Sequence, residues 1–429
     1  MCLAKMRHSV ALAVIILLWA AAFTAEGART EKLVAINVGS LDGTTKAVAE
    51  FTQKTGIEVE LIVTSWGAFD EKVPMMLAAG QQLDLIRFDQ GHAAKAALSG
   101  WLIPLTPLIA RDKLNLNMYP KPVLWHAPYD ILGDIYTLPY NMAVSTTFYN
   151  RSHFRDAGVP YLTTEYGHPS MQLDAWTASL KKVQRIGADS KVERWGTMIS
   201  VGPEAYYLLG LFGVDWVTPR VDRFLGATPE VVDAYTRLID IWLKDGVAPK
   251  AHERGGLALL NGNLSTQVMQ TGSWMTQVDP QQIDLGLAPL PWGSTVAVQG
   301  GINGWGISST CTDVESAWRF VKYFTYDEGY VPWLKYESLS PPVHRQYWRN
   351  WMDTLRRGLP NADLTVALEG ANYYWNTRMS LLPAWAGTIK PVFEKAIYKA
   401  ARGEAPVAAA MGEIEETMNS LIRENPLFK

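Results

Sequence analysis

Asp89 stands directly after an apolar run, LDLIRF (83–88), and Trp305 lies in GGINGWG (300–306), among glycines that let backbone approach a guest closely. Trp66 opens the stretch ahead of another helix, and Ser40 and Asp42 sit in the loop Gly-Ser-Leu-Asp-Gly after the first strand. These positions combine carboxylates and hydroxyls with flat indoles. Oxygen groups re-pair polar atoms that lose water on burial, and charged partners make the shorter, stronger hydrogen bonds. Indole faces cover C–H surface. A neutral polyhydroxylated ring, hydroxyls on its rim and C–H groups on its faces, needs both kinds of contact. The competing use of Asp42 is to cap a helix, and that of Asp89 is an exposed loop position.

Signatures of catalysis are missing from the chain. It has no Gly-x-Ser-x-Gly elbow, no Gly-x-x-x-x-Gly-Lys loop and no His-Glu-x-x-His pair. The 7 histidines are scattered. A carboxylate pair of the glycoside hydrolase kind meets only in the folded chain, so that alternative stays open. A net charge of −3 gives no electrostatic reason to expect nucleic acid as a partner.

The elements that must carry these residues are legible from periodicity. The length of 429 residues implies two or three domains, and 48% hydrophobic with 19% charged residues describes a globular chain. LVAINV (33–38), IEVELIV (57–63) and LDLIRF (83–88) read as strands. Between and after them run a helix bearing Ala47, Val48 and Phe51, a helix near 69–79, and one ending at Ser99-Gly100. Strand and helix alternate with short connections, which predicts a parallel sheet covered by helices. Residues 228–246 predict a helix closed by Gly246. Residues 312–329 predict another, opened by a capping box of Thr312 with Glu315. Two more are expected at about 386–401 and 406–423.

Residues 1–27 read as a targeting segment. Lys5, Arg7 and His8 precede an uncharged, mostly apolar run from Val10 to Phe23, and Ala25-Glu26-Gly27 offers a cut near Gly27. The rival reading is an uncleaved N-terminal anchor. Cys2 leaves with the segment, so Cys311 stands alone in the mature chain, with no disulfide and no lipid-anchor cysteine.

Four stretches in order carry a resemblance: KAVAEFTQKTGIEVEL (46–61), LDLIRFDQGHAAKAALSGWLIPLTPLI (83–109), YTLPYNMAVSTTFYNRSHFRDAGVP (136–160) and VQGGINGWGISSTCTDVESAWRFVKYFT (298–325). The aliphatic-Pro-x-Trp … Arg-Gly pattern of 382–403 extends it. Together they resemble the family 1 extracellular solute-binding proteins of ABC importers, the maltose-binding protein type. The resemblance implies an α/β, two-lobe periplasmic-binding-protein type II fold, each lobe a mostly parallel sheet flanked by helices. It implies one lobe from 30–143 plus 301–329 and the other from 144–300 plus 330–429. Ala143–Thr147 would be the crossing strand and Val296–Gly301 the return, unless 143–147 is an ordinary buried edge strand.

By the same resemblance Glu204 and Tyr206 in GPEAYYLLGLFG, Trp274 in TGSWMT, and Tyr374, Trp375 and Arg378 in NYYWNTR would line the cleft. Tyr140, Asn141 and Gly301 would sit beside the crossings, and Trp385 in interlobe or core packing. Trp305 and Trp274 are the foremost stacking candidates. The resemblance further implies a di- or oligosaccharide guest, a membrane permease driven by a separate ATPase, a soluble periplasmic monomer, and no cofactor, metal or enzymatic activity. Two other cargoes fit the same fold. Tyr206-Tyr207 resembles the adjacent tyrosines of ferric-ion binders, and Arg378, if aimed into the cleft, would favour a glycerol phosphate.

Overall fold

The run LVAINV forms β1 (Leu33–Val38), buried along its whole length. A strand covered on both faces needs an unbroken apolar run, which is what a parallel sheet packed between helices imposes. The computed structural model describes residues 32–38, 42–124, 132–199, 203–250, 255–327, 340–375, 377–378 and 389–424. Within them β2 (Val59–Thr64) and β3 (Leu85–Asp89) flank β1 in parallel. Helices Asp42–Thr55, Trp66–Ala78 and Gln90–Leu98 follow the three strands in turn. β4 (Leu138–Met142) belongs to the same sheet, and the chain then enters a second one as β5 (Ser145–Asn150).

The second sheet adds β6 (Arg185–Ile186), β7 (Val192–Met198), β8 (Leu264–Gln270) and β9 (Leu285–Ala288). The chain then returns as β10 (Ile302–Ile307), antiparallel between β3 and β4. The strand orders are β2-β1-β3-β10-β4 and β6-β7-β8-β5-β9. Helix Val314–Thr325 lays Trp318, Phe320, Val321 and Phe324 into the core of the first lobe. Helices Leu173–Val183, Pro229–Leu243, Lys390–Ala401 and Val407–Arg423 share a separate core in the second. This is the expected two-lobe α/β fold. Among the described residues no helix is long and apolar enough to cross a membrane.

One cap differs from expectation. Asp313, not Thr312, opens helix Val314–Thr325: its Oδ1 accepts the Ser316 N–H at 3.0 Å. Both residues offer a side-chain oxygen, and the carboxylate also favours the positive end of the helix dipole.

Two strands of the crossing lie side by side. Ala143 N–H donates to Gly301 O at 2.6 Å, and Ser145 N–H to Gln299 O at 2.8 Å. Ser145 already belongs to β5, so the passage between the two strands is only Ala143–Val144. A further crossing departs from expectation. Residues 341–344, expected with the second lobe, run along the outer edge of β4: Met142 N–H donates to Pro341 O at 2.9 Å, and the ring of His344 stands edge-on to Tyr119 at 4.7 Å. Leu138–Met142 is an edge strand, and this segment satisfies backbone groups it would otherwise expose.

Candidate functional site

Direction of strands decides where side chains can meet. In the first sheet β1 and β3 end, and β10 begins, at the edge from which Ala143 and Gly301 leave for the other lobe. In the second sheet β8 runs antiparallel to β5, so Gln270 lies opposite Ser145 at the same crossing. β7 is parallel to β8 and ends there too, at Met198. The segments holding Asp89, Tyr140, Asn141, Glu204, Tyr206, Trp274 and Gly301 therefore all leave their sheets at the interlobe ends. Ligands of open α/β sheets gather at such strand ends.

The first-lobe set is polar and tightly interlocked. Arg87 Nε donates to Tyr140 Oη, and Arg87 Nη1 donates to Val38 O. Asn303 Nδ2 donates to Asn141 Oδ1 at 2.8 Å, across the pair β10–β4. Asp89 closes β3 and caps the next helix. Its Oδ1 accepts the His92 N–H at 2.9 Å and lies 2.8 Å from His92 Nδ1.

The second-lobe set is built by two stretches far apart in sequence. The 3-10 helix Pro203–Phe212 follows the end of β7, and the Trp375 ring packs against its Gly210. A Cβ on Gly210 would fall 2.6 Å from Trp375 Cγ. Asp215 joins the same two stretches. Its Oδ1 accepts Thr377 Oγ1–H at 3.0 Å and Trp216 N–H at 2.7 Å, and its Oδ2 accepts Arg378 N–H at 2.8 Å. Burial holds its carboxyl above the usual carboxylate range, and these donors pull the other way. Trp274 is half-buried, edge-on to Phe148 at 4.5 Å, with its indole N–H on Gln270 O at 3.0 Å.

Residues 38–331 match the family described as bacterial extracellular solute-binding protein. The chain belongs to that family. Solved structures agree on the fold. The sugar-binding protein MalE of Xanthomonas citri superposes with a TM-score of 0.77 at 16% identity, covering 92% of this chain and 98% of that one. An ABC substrate-binding protein from Listeria monocytogenes, in complex with cycloalternan, gives 0.72 at 18% identity, over 91% and 99%. UgpB from Mycobacterium tuberculosis, in complex with glycerophosphocholine, gives 0.69 at 18% identity, over 91% and 98%.

Several expected residues of this solute-binding protein fall elsewhere. Trp305 is only 2% exposed, with its ring edge-on to Phe320 at 5.1 Å and tilted on Phe324 at 6.1 Å. It lies directly opposite Arg87 in the β3–β10 pair, two residues beyond Asn303, where helix Val314–Thr325 covers it. Its indole packs the core, so the stacking role is corrected. Tyr374 is buried as well. Its hydroxyl donates to Gly300 O, and Val298 N–H and Trp375 N–H tie the two segments at 2.8 and 2.7 Å. It braces the return crossing. Gly301 has room for a side chain, its Cβ position being 3.9 Å from Ala143 Cβ, whereas Gly300 has none. Ser40 and Trp385 lie outside the described residues, as do residues 1–27 and the side chains of Asp42, Trp66, Glu204 and Tyr206.

Arg87, Asn303, Gly210 and Asp215 were missed. Arg87 carried a signal, a permanent charge inside an apolar strand run. Asp215, in the apolar stretch Gly-Val-Asp-Trp-Val, carried the same kind of signal more faintly.

Proposed function

We propose that this member of the solute-binding family captures a carbohydrate, a di- or oligosaccharide, between its lobes and delivers it to an ABC permease. The observation that carries the reading is the convergence of aromatic and hydrogen-bonding residues on the interlobe ends of both sheets. Trp274 and Trp375 supply flat faces, and Asp89, Asn141 and Asn303 supply the paired oxygens and amides a hydroxyl rim requires. Closure about Ala143–Val144 and the 296–301 return would bury the guest. Only contacts that differ between open and closed forms shift that balance.

The same reading has the protein exported by residues 1–27, free in the periplasm as a monomer, and without catalysis of its own. A second cargo class has one supporting observation: the neighbour UgpB holds glycerophosphocholine, and Arg87 and Arg378 are cationic residues of the two sets. A thermal-shift screen of mono-, di- and oligosaccharides beside glycerophosphodiesters separates them. A guest at 100 times its Kd adds about 2.7 kcal/mol to the native state. An oligosaccharide shift with contraction in small-angle scattering is expected. Shifts from phosphodiesters alone would replace the carbohydrate, and release of reducing ends would replace the binding role altogether.

A further inference from the structure

We infer that Asp215 is the positioning residue of the second-lobe half-site, holding Trp375 and Arg378 against the stretch that carries Glu204 and Tyr206. This rests on the carbohydrate reading of the same site.

Three donors converge on one carboxylate. Two of them, Thr377 Oγ1–H and Arg378 N–H, come from 162 and 163 residues away. The third, Trp216 N–H, is local and fixes the carboxylate's own direction. Two oxygens that only accept can serve three donors. An asparagine cannot, because its amide nitrogen would face the backbone N–H of either Arg378 or Trp216. Asp215 thus ties Thr377 and Arg378 to the chain leaving Pro203–Phe212.

A second contact holds the same segment independently. The indole of Trp375 rests on Gly210, at a distance that leaves no space for a methyl group. Its Nε1 is buried and has no acceptor among the described residues. A buried N–H without a partner is costly, and a guest oxygen placed beside it would meet that need. Trp375 then offers both an aromatic surface and one donor, provided the segment is held in place. Asp215 and Gly210 do the holding, from the end and from beneath.

The experiment uses the full chain and two readouts. Amide hydrogen exchange is followed in peptides spanning 374–378 and, as reference, 33–38, without any guest. Affinity is measured by calorimetry with maltotetraose as the probe. For Asp215→Asn the expected outcome is about ten-fold faster exchange at 374–378, unchanged exchange at 33–38, and about ten-fold weaker maltotetraose binding, which corresponds to about 1.4 kcal/mol. Thr377→Val should show part of both effects and Thr377→Ser neither. That rescue separates positioning from general loss of stability. Gly210→Ala should weaken binding with the Asp215 bonds intact.

Unchanged exchange at 374–378 in Asp215→Asn overturns the inference, as does full maltotetraose affinity in that variant. Should Asp215→Asn fail to fold, Thr377→Val decides by the same two criteria. Should the natural sequence bind neither maltotetraose nor another carbohydrate, the carbohydrate reading falls, and the exchange data alone decide whether Asp215 holds the segment.

Discussion

A Cβ on Gly300 would lie 1.5 Å from the carbonyl oxygen of Ala143. The two crossings approach so closely that one must be bare at that point. Gly300→Ala has to push backbone apart, and overpacking of that kind costs about 3 kcal/mol. The melting temperature should fall by several degrees. Gly301→Ala, with its nearest neighbour at 3.9 Å, should change stability by less than about 0.5 kcal/mol. Equal effects in calorimetric melts would contradict the close approach.

The two foremost tryptophans should behave oppositely. Trp305 is enclosed by Phe320 and Phe324, so Trp305→Ala leaves a cavity and costs about 3–5 kcal/mol of stability. Trp274 is half-buried, with one ring contact and one hydrogen bond among the described residues, so Trp274→Ala should cost about 1–2 kcal/mol. Its larger effect should appear in guest affinity. Denaturant midpoints and calorimetric titration of the two variants separate the roles, and a Trp305→Phe protein that folds well but loses the guest would restore the stacking assignment.

These outcomes also mark where sequence reading stops. LVAINV and LDLIRF were legible because a doubly covered strand has to be apolar throughout; the first has the expected limits, and the second is observed as Leu85–Asp89. Trp305 was misread because the glycines around it are visible in sequence while the helix covering its face is not. Gly300 and Gly301 are indistinguishable until the partner backbone is placed. Asp215 acts on residues more than 160 positions away, a distance over which a single sequence carries no local signal. The departure of 341–344 to the first lobe has the same cause: an edge strand recruits whatever segment passes it.

A buried histidine and a half-buried one predict acid sensitivity. Burial lowers His344 to about 4, and burial with the neighbouring charge of Arg194 lowers His153 to about 4. Both hold the neutral ring in the folded state, while the unfolded chain binds protons near the ordinary 6.5. Between these values the unfolded state carries more protons, so stability is full above about pH 6.5 and is lost as pH falls toward 4. His344 alone accounts for on the order of 3 kcal/mol. His344→Phe keeps the edge contact with Tyr119, and Tyr119 Oη still donates to Thr325 O at 2.8 Å. Its melting temperature should fall less between pH 7 and 4.5 than that of the natural protein. An identical slope would remove His344 from the account.

Tyr374 offers a test of the return crossing itself. Its hydroxyl donates to Gly300 O, while two backbone bonds, at 2.8 and 2.7 Å, hold the same segments together. Tyr374→Phe removes the hydroxyl and leaves the ring, so the backbone pairing should survive with a loss of about 1 kcal/mol. A difference of that size is about a five-fold change in a two-state balance. Amides of 298–301 should therefore exchange roughly five times faster in the variant, with those of β1 unaltered. If the crossing governs opening, the radius of gyration of the guest-free protein should shift as well, since the brace acts on the segment joining the lobes. Faster exchange without any change in scattering would confine Tyr374 to local support. Unchanged exchange would mean that the two backbone bonds suffice and the hydroxyl contributes nothing to holding the crossing.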